Sequence, residues 1–174
     1  MKAVIHYLKF GLISGLIMCT GWLVFHLFIL DGETIDFASG EIYGYGSMLI
    51  AYVTVFFGIR KYRNDSKDGQ ITFLEAFKVG TGIVFVASLV YVIAWMIYYP
   101  NFFPDFIERY ISFQVSALEN QGLSAAELSE KKAEMQEMGE LYKNPFAVIG
   151  LTFLEVFPLG LVVATICSLI LKRK

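Results

Sequence analysis

The chain has 174 residues, 56% of them hydrophobic and only 17% charged, with a formal net charge of -2. An ordinary soluble domain carries about 25% charged residues, so that class is excluded. The near-neutral total names no partner, because it hides a strong partition of charge along the chain.

Four apolar stretches, Phe10 to Leu30, Tyr43 to Ile59, Val79 to Tyr98 and Phe146 to Leu171, alternate with polar segments. At a rise of about 1.5 Å per residue, roughly 20 helical residues cross a hydrocarbon core of about 30 Å. Each stretch therefore reads as a spanning helix, the second recruiting Glu41 and Ile42 at its start. The expected fold is all-α: a single membrane domain over residues 1–174, built as an integral four-helix bundle with an extracytoplasmic helical hairpin between spans three and four.

Lys2 and Lys9 precede the first span. A secretory signal is rejected: the apolar run is too long, no small-x-small pattern follows it, and Met18 stands where a lipoprotein box needs a small residue before Cys19. Gly11 and Gly15 form a small-residue seam, as do Gly160, Ala164 and Ser168 in the last span, where helix backbones can approach closely. Upright helices put Cys19 roughly 14 Å and Cys167 roughly 6 Å above the inner boundary, too far apart for a disulfide.

The loop from Asp31 to Ile42 carries Asp31, Glu33, Asp36 and Glu41 and no base. After span two, residues 60–75 form a polar loop with Arg60, Lys61, Arg63 and Lys67, and with turn chemistry at Asn64-Asp65-Ser66 and Asp68-Gly69. The outer segment between spans three and four reads as two short helices over about 104–143. Phe106, Tyr110, Phe113 and Ala117 share one side of the first, which Pro104 can open. Ser124 and Glu127 form a capping box that opens the second, with Leu128, Met135, Met138 and Tyr142 along one side until Asn144-Pro145. The apolar side of this hairpin can rest on the bundle mouth, on the lipid interface or on a partner protein, and docking on its own bundle is favoured.

Ten of the 14 basic residues lie before span one, between spans two and three (Lys78 included) and after span four. The outer segment, in contrast, has eight acids against four bases. Lys and Arg in short loops stay on the cytoplasmic side, so both termini are expected in the cytoplasm. Aromatic residues, among them Tyr43, Tyr45, Trp95, Tyr98 and Tyr99, cluster where spans meet water, as depth anchors.

The sequence Thr72-Phe73-Leu74-Glu75-Ala76-Phe77 recurs as Thr152-Phe153-Leu154-Glu155-Val156-Phe157, with Gly80 and Gly160 equivalently placed. Two copies opening antiparallel spans resemble the inverted symmetry of some transporters. The competing reading is an acid complementing a helix N-terminus. Thr72, Phe73, Glu75 and Lys78 form a candidate interface motif. Glu155 stands well inside an apolar span, with Pro158 three residues on. An acid near the bilayer centre costs on the order of 3 kcal/mol and tends to face a partner. Sixteen residues separate it from Leu171, and sixteen separate His26 from Phe10, so both sit in one layer. Tyr43 and Trp95 reach a similar level, which defines a candidate intramembrane polar cluster of Glu155, His26, Tyr43, Thr152 and Trp95. Two functions are open: a protonatable Glu155–His26 pair, or a hydrogen bond that only fixes helix register.

No metalloprotease, phosphate-loop, C-x-x-C or serine-elbow motif is present, so no catalytic residue, metal or cofactor is expected and the chain is not read as an enzyme.

Phe56 to Arg63, then Asp68-Gly69-Gln70-Ile71-Thr72-Phe73 with Ala76 to Gly80, then Asn144-Pro145, Thr152 to Glu155 and Pro158 to Leu161 resemble a bacterial membrane family catalogued as domain of unknown function 4199. The resemblance runs over nearly the whole chain. It implies four spans in the bacterial inner membrane and supplies no activity, ligand or catalytic residue. The favoured role is a structural, accessory or regulatory membrane component, and the competing one a small proton-coupled transporter or channel. Expected partners are the lipid bilayer, a protein docked through the outer hairpin and a second copy of the chain, with no nucleic acid among them.

Overall fold

A computed structural model of the chain describes residues 2–28, 37–66 and 68–173, and the side chains among them except those of residues 2, 3, 22, 25–28 and 38. Asp31, Glu33, Asp36 and the side chain of His26, all singled out above, lie outside the described residues. The regular structure described is helical: α1 (Lys2–Phe28), α2 (Phe37–Ser66), α3 (Phe73–Phe102), α4 (Phe106–Glu119), α5 (Ala125–Tyr142) and α6 (Pro145–Leu171). Helices α1, α2, α3 and α6 are long and apolar enough to cross a membrane.

These helices outrun the apolar stretches that announce them. Residues 60–66, expected in a loop, are the last turns of α2. Arg and Lys are good helix formers, and Lys61 and Asp65 form an ion pair at 2.7 Å across one turn. The helix ends where Asp68 and Gly69 adopt positive φ, 49° and 81°, which only glycine enters freely. There the Gly69 N–H donates to the Arg63 carbonyl at 3.1 Å. Helix α3 likewise continues through Pro100. Helix α6 opens on Pro145, whose missing N–H falls where no intrahelical partner exists, and Asn144 Oδ1 accepts from the Phe146 N–H at 3.0 Å.

Two compact units divide the chain: Met1–Ala94 with Phe153–Lys174, and Trp95–Thr152. In the first, buried residues recur every three or four positions, as in Ser14, Gly15 and Met18 of α1, Ala51, Tyr52 and Val55 of α2, and Ile83, Val84 and Ala87 of α3. Helix α6 buries its i+4 row Val156, Gly160, Ala164 and Ser168. Helices surrounded by lipid gain little from hydrophobic burial, so close packing and interhelical hydrogen bonds carry their association. A Cβ on Gly15 would stand 2.6 Å from Val90 Cβ, and one on Gly80 3.0 Å from Ala164 Cβ. The small-residue seams are thus contacts within one chain. Ser14 Oγ donates to the Ala51 carbonyl at 3.0 Å, and Tyr52 Oη donates to the Val156 carbonyl at 2.9 Å. His6 Nε2 lies 2.7 Å from the Gly58 carbonyl. A carbonyl only accepts, so Nε2 carries the proton.

In the second unit α4 and α5 pack on each other. The Phe106 and Tyr142 rings are 6.1 Å apart, Lys132 reaches Glu119 at 2.6 Å, and a Cβ on Gly139 would stand 3.0 Å from Ile111 Cδ1. Ser124 and Glu127 form the expected reciprocal cap of α5. All eight apolar-side residues named above for these two helices are half-buried, and neither helix has a fully buried residue.

Candidate functional site

The two copies of the repeated sequence have different structural roles. Thr72 immediately precedes α3. Its Oγ1 accepts from the Glu75 N–H at 3.3 Å, while Glu75 Oε2 accepts from the Thr72 N–H at 3.1 Å and from its hydroxyl at 2.9 Å. This is a capping box that satisfies backbone donors at the start of a helix. Thr152 and Glu155, in contrast, lie inside α6, which Pro145 and Asn144 have already opened. The expectation that both copies begin antiparallel spans is therefore corrected. Backbone donors at Glu155 are engaged within the helix, so the same Thr-Phe-Leu-Glu run has no cap to make there.

The two copies do share aromatic stacking one turn apart. Phe73 and Phe77 stack with centroids 5.9 Å apart, and Phe153 and Phe157 at 4.8 Å. The second pair meets Phe85 of α3 edge-on at 6.0 and 6.2 Å. Of the candidate interface motif, Thr72, Phe73 and Lys78 are exposed and Glu75 is half-buried by its cap.

Glu155 lies on the exposed face of α6, and no donor among the described residues is hydrogen-bonded to it. The charged group acting on it is Glu41 of α2, a like charge. Tyr43 is exposed and Thr152 is buried. Trp95 stacks on Tyr99 with centroids 6.0 Å apart and meets the edge of Phe106 at 5.1 Å. Trp95 and Thr152 belong to one compact unit, Tyr43 and Glu155 to the other. Among the described residues no group of three or more His, Cys, Asp or Glu could hold a metal ion. Cys19 and Cys167 are both buried free thiols.

Sequence reasoning missed the charged end of the first unit. Ile71 and Arg173 exchange backbone hydrogen bonds of 3.0 and 2.9 Å, tying the α2–α3 connection to the residues after α6. Arg63 donates to the Leu171 carbonyl at 3.2 Å, a cation satisfying a helix C-terminus. Beside them, a cleft of about 320 Å³ is lined by Phe10, Phe57, Arg60, Lys61, Asn64 and Asp65. The signal available in sequence was the placement of Phe57 one turn before Arg60. That Phe10 completes the wall follows only from the pairing of α1 with α2.

A family model described as a protein of unknown function, DUF4199, matches residues 9–173, and the chain belongs to that family. No match to it is found among curated proteins or among solved structures.

Proposed function

We propose that this chain is a multi-pass protein of the bacterial inner membrane with both termini in the cytoplasm, acting as a structural, accessory or regulatory component rather than as an enzyme. The observation carrying this reading is where the polar groups go. Ser14, Tyr52 and Arg63 hold helix to helix through backbone carbonyls. Glu155, the acid on which proton coupling would turn, feels the like charge of Glu41 and has no hydrogen-bond donor among the described residues.

In this proposal α4 and α5 form a helical hairpin on the outer side of the membrane. Lys and Arg concentrate before span one, between spans two and three and after span four, which favours retention of those segments and an outer position for this one, and the hairpin is the part available to a protein partner or to a second copy of the chain. The test has three parts. Cysteines placed singly near either terminus should be shielded from an impermeant thiol reagent in intact cells, while one placed at Gln121 should react. Replacing residues 106–142 by a short Gly-Ser linker should abolish in-membrane crosslinking to a defined partner while the four spans still insert. Proteoliposomes holding the full chain should show no proton flux that Glu155→Gln changes; a flux abolished by that substitution would replace this reading with transport.

A further inference from the structure

We infer that the cleft between α1 and α2 binds one anionic phospholipid, with the headgroup phosphate on Arg60 and the start of an acyl chain along Phe10 and Phe57. The cleft holds about 320 Å³, near the lower end of small-ligand sites, which suits a glycerophosphate headgroup and the first part of a chain.

Its chemistry is divided along the helix axis. Ile59 closes the apolar run of α2 and Arg60 begins the basic one, so the cleft sits where an apolar helix meets the headgroup layer. Phe57 is 52% exposed, an apolar wall with no purpose for a soluble anion. Lys61 is held by Asp65 at 2.7 Å. Arg60 is exposed and has no acid within ion-pair distance among the described residues, so the residues lining the cleft, Arg60 and Lys61 against Asp65, carry a net positive charge. A guanidinium presents a planar fork of donors that matches phosphate oxygens. Asn64 Oδ1 already accepts from Arg63 Nε at 3.2 Å, leaving its amide nitrogen to donate. On the other wall, the Phe10 ring lies across α2 at Gly58, where an added Cβ would meet its Cγ at 3.2 Å. It also lies against the His6 ring at 4.8 Å, so the apolar side is fixed by packing. The inference needs a membrane-inserted chain but not the role proposed above.

The test uses the full chain purified in detergent micelles and titrated separately with dioleoylphosphatidylglycerol and dioleoylphosphatidylcholine, with bound lipid counted by native mass spectrometry. A chain that fails to insert or to be extracted from membranes speaks against the proposed function and is recognised before any lipid is added. One phosphatidylglycerol should bind at least about fivefold more tightly than phosphatidylcholine, the effect of a single basic residue at a headgroup. Arg60→Gln should remove that preference, Arg60→Lys should keep part of it, and Asp65→Asn should increase it by a similar factor. Equal affinity for the two lipids, or a preference indifferent to Arg60→Gln and Asp65→Asn, overturns the inference. Displacement of the lipid by millimolar inorganic phosphate also overturns it, because the site would then recognise the phosphate group alone.

Discussion

The hydroxyl of Tyr52 donates a 2.9 Å hydrogen bond to the carbonyl of Val156, a residue 104 positions further along the chain. Both residues are fully buried. The contact requires Gly160, since a Cβ there would stand 2.6 Å from Tyr52 Cζ and 2.7 Å from its hydroxyl. Nearby on α3, the buried Ser88 donates to its own helix at the Val84 carbonyl, 2.9 Å away. Helices α2 and α6 thus meet at one phenolic oxygen, and the missing side chain of Gly160 is what lets it reach the backbone.

Tyr52→Phe should remove the bond without changing the packing and destabilise the protein by about 0.6–1 kcal/mol. Gly160→Ala should cost more, about 1–3 kcal/mol, because ring and helix must move apart. Reversible unfolding in mixed micelles measures both. A neutral Gly160→Ala would mean that the close approach imposes no constraint.

The two copies of the repeat should respond differently to loss of their polar groups. Thr72→Ala takes away the α3 cap and should destabilise by about 1 kcal/mol. Glu155→Gln removes no hydrogen bond among the described residues and should stay within about 0.5 kcal/mol of the parent. Equal losses in the same unfolding assay would contradict the distinction between cap and helix interior.

Ser124 holds the Glu127 carboxyl below the ordinary glutamate range, through its hydroxyl first and its backbone N–H second. A carboxyl whose pKa is lowered on folding contributes stability that is present above its unfolded value, about 4.3, and lost as pH falls through the folded one. Amide protection in the first turn of α5 should therefore decline on acidification below pH about 4.3. Carboxyl NMR should place the Glu127 midpoint under that value, and Ser124→Ala should bring it back. An unchanged midpoint in Ser124→Ala would refute the cap as its cause.

Arg173→Pro deletes the N–H that Arg173 donates to the Ile71 carbonyl at 2.9 Å. Hydrogen exchange at the Ile71 amide, the other half of the bridge, should accelerate by about five- to tenfold, the equivalent of one hydrogen bond of about 1 kcal/mol. The α5 amides serve as an internal reference. Exchange that stays at the parent rate would show that the bridge does not hold the α2–α3 connection in place.

The number and position of the apolar helices were legible because hydropathy over a window of 20 or so residues is a local property of the chain. The Ser124–Glu127 cap was legible for the same reason, since both partners lie within one turn. Helix ends were read less well. Hydropathy marks where the apolar phase stops, whereas α2 runs on to Ser66 until left-handed backbone at Asp68 and Gly69 breaks its ladder. The repeat misled because a cap depends on where the helix begins, and Asn144 and Pro145 start α6 before Thr152 is reached.

The candidate site was decided by tertiary structure alone. Sequence singled out Glu155 as an acid in an apolar stretch, but whether a donor or a second acid faces it depends on how α2 and α6 pack. The hydrogen bonds that Ser14, Tyr52, His6 and Arg63 make to neighbouring helices all end on backbone carbonyls. Every residue carries such a carbonyl, so no pattern of side chains marks the acceptor. The chain's own composition determined which segments are apolar helices; only their packing, through glycines that bring backbone within reach of a neighbouring helix, determined which carbonyl each polar side chain could find.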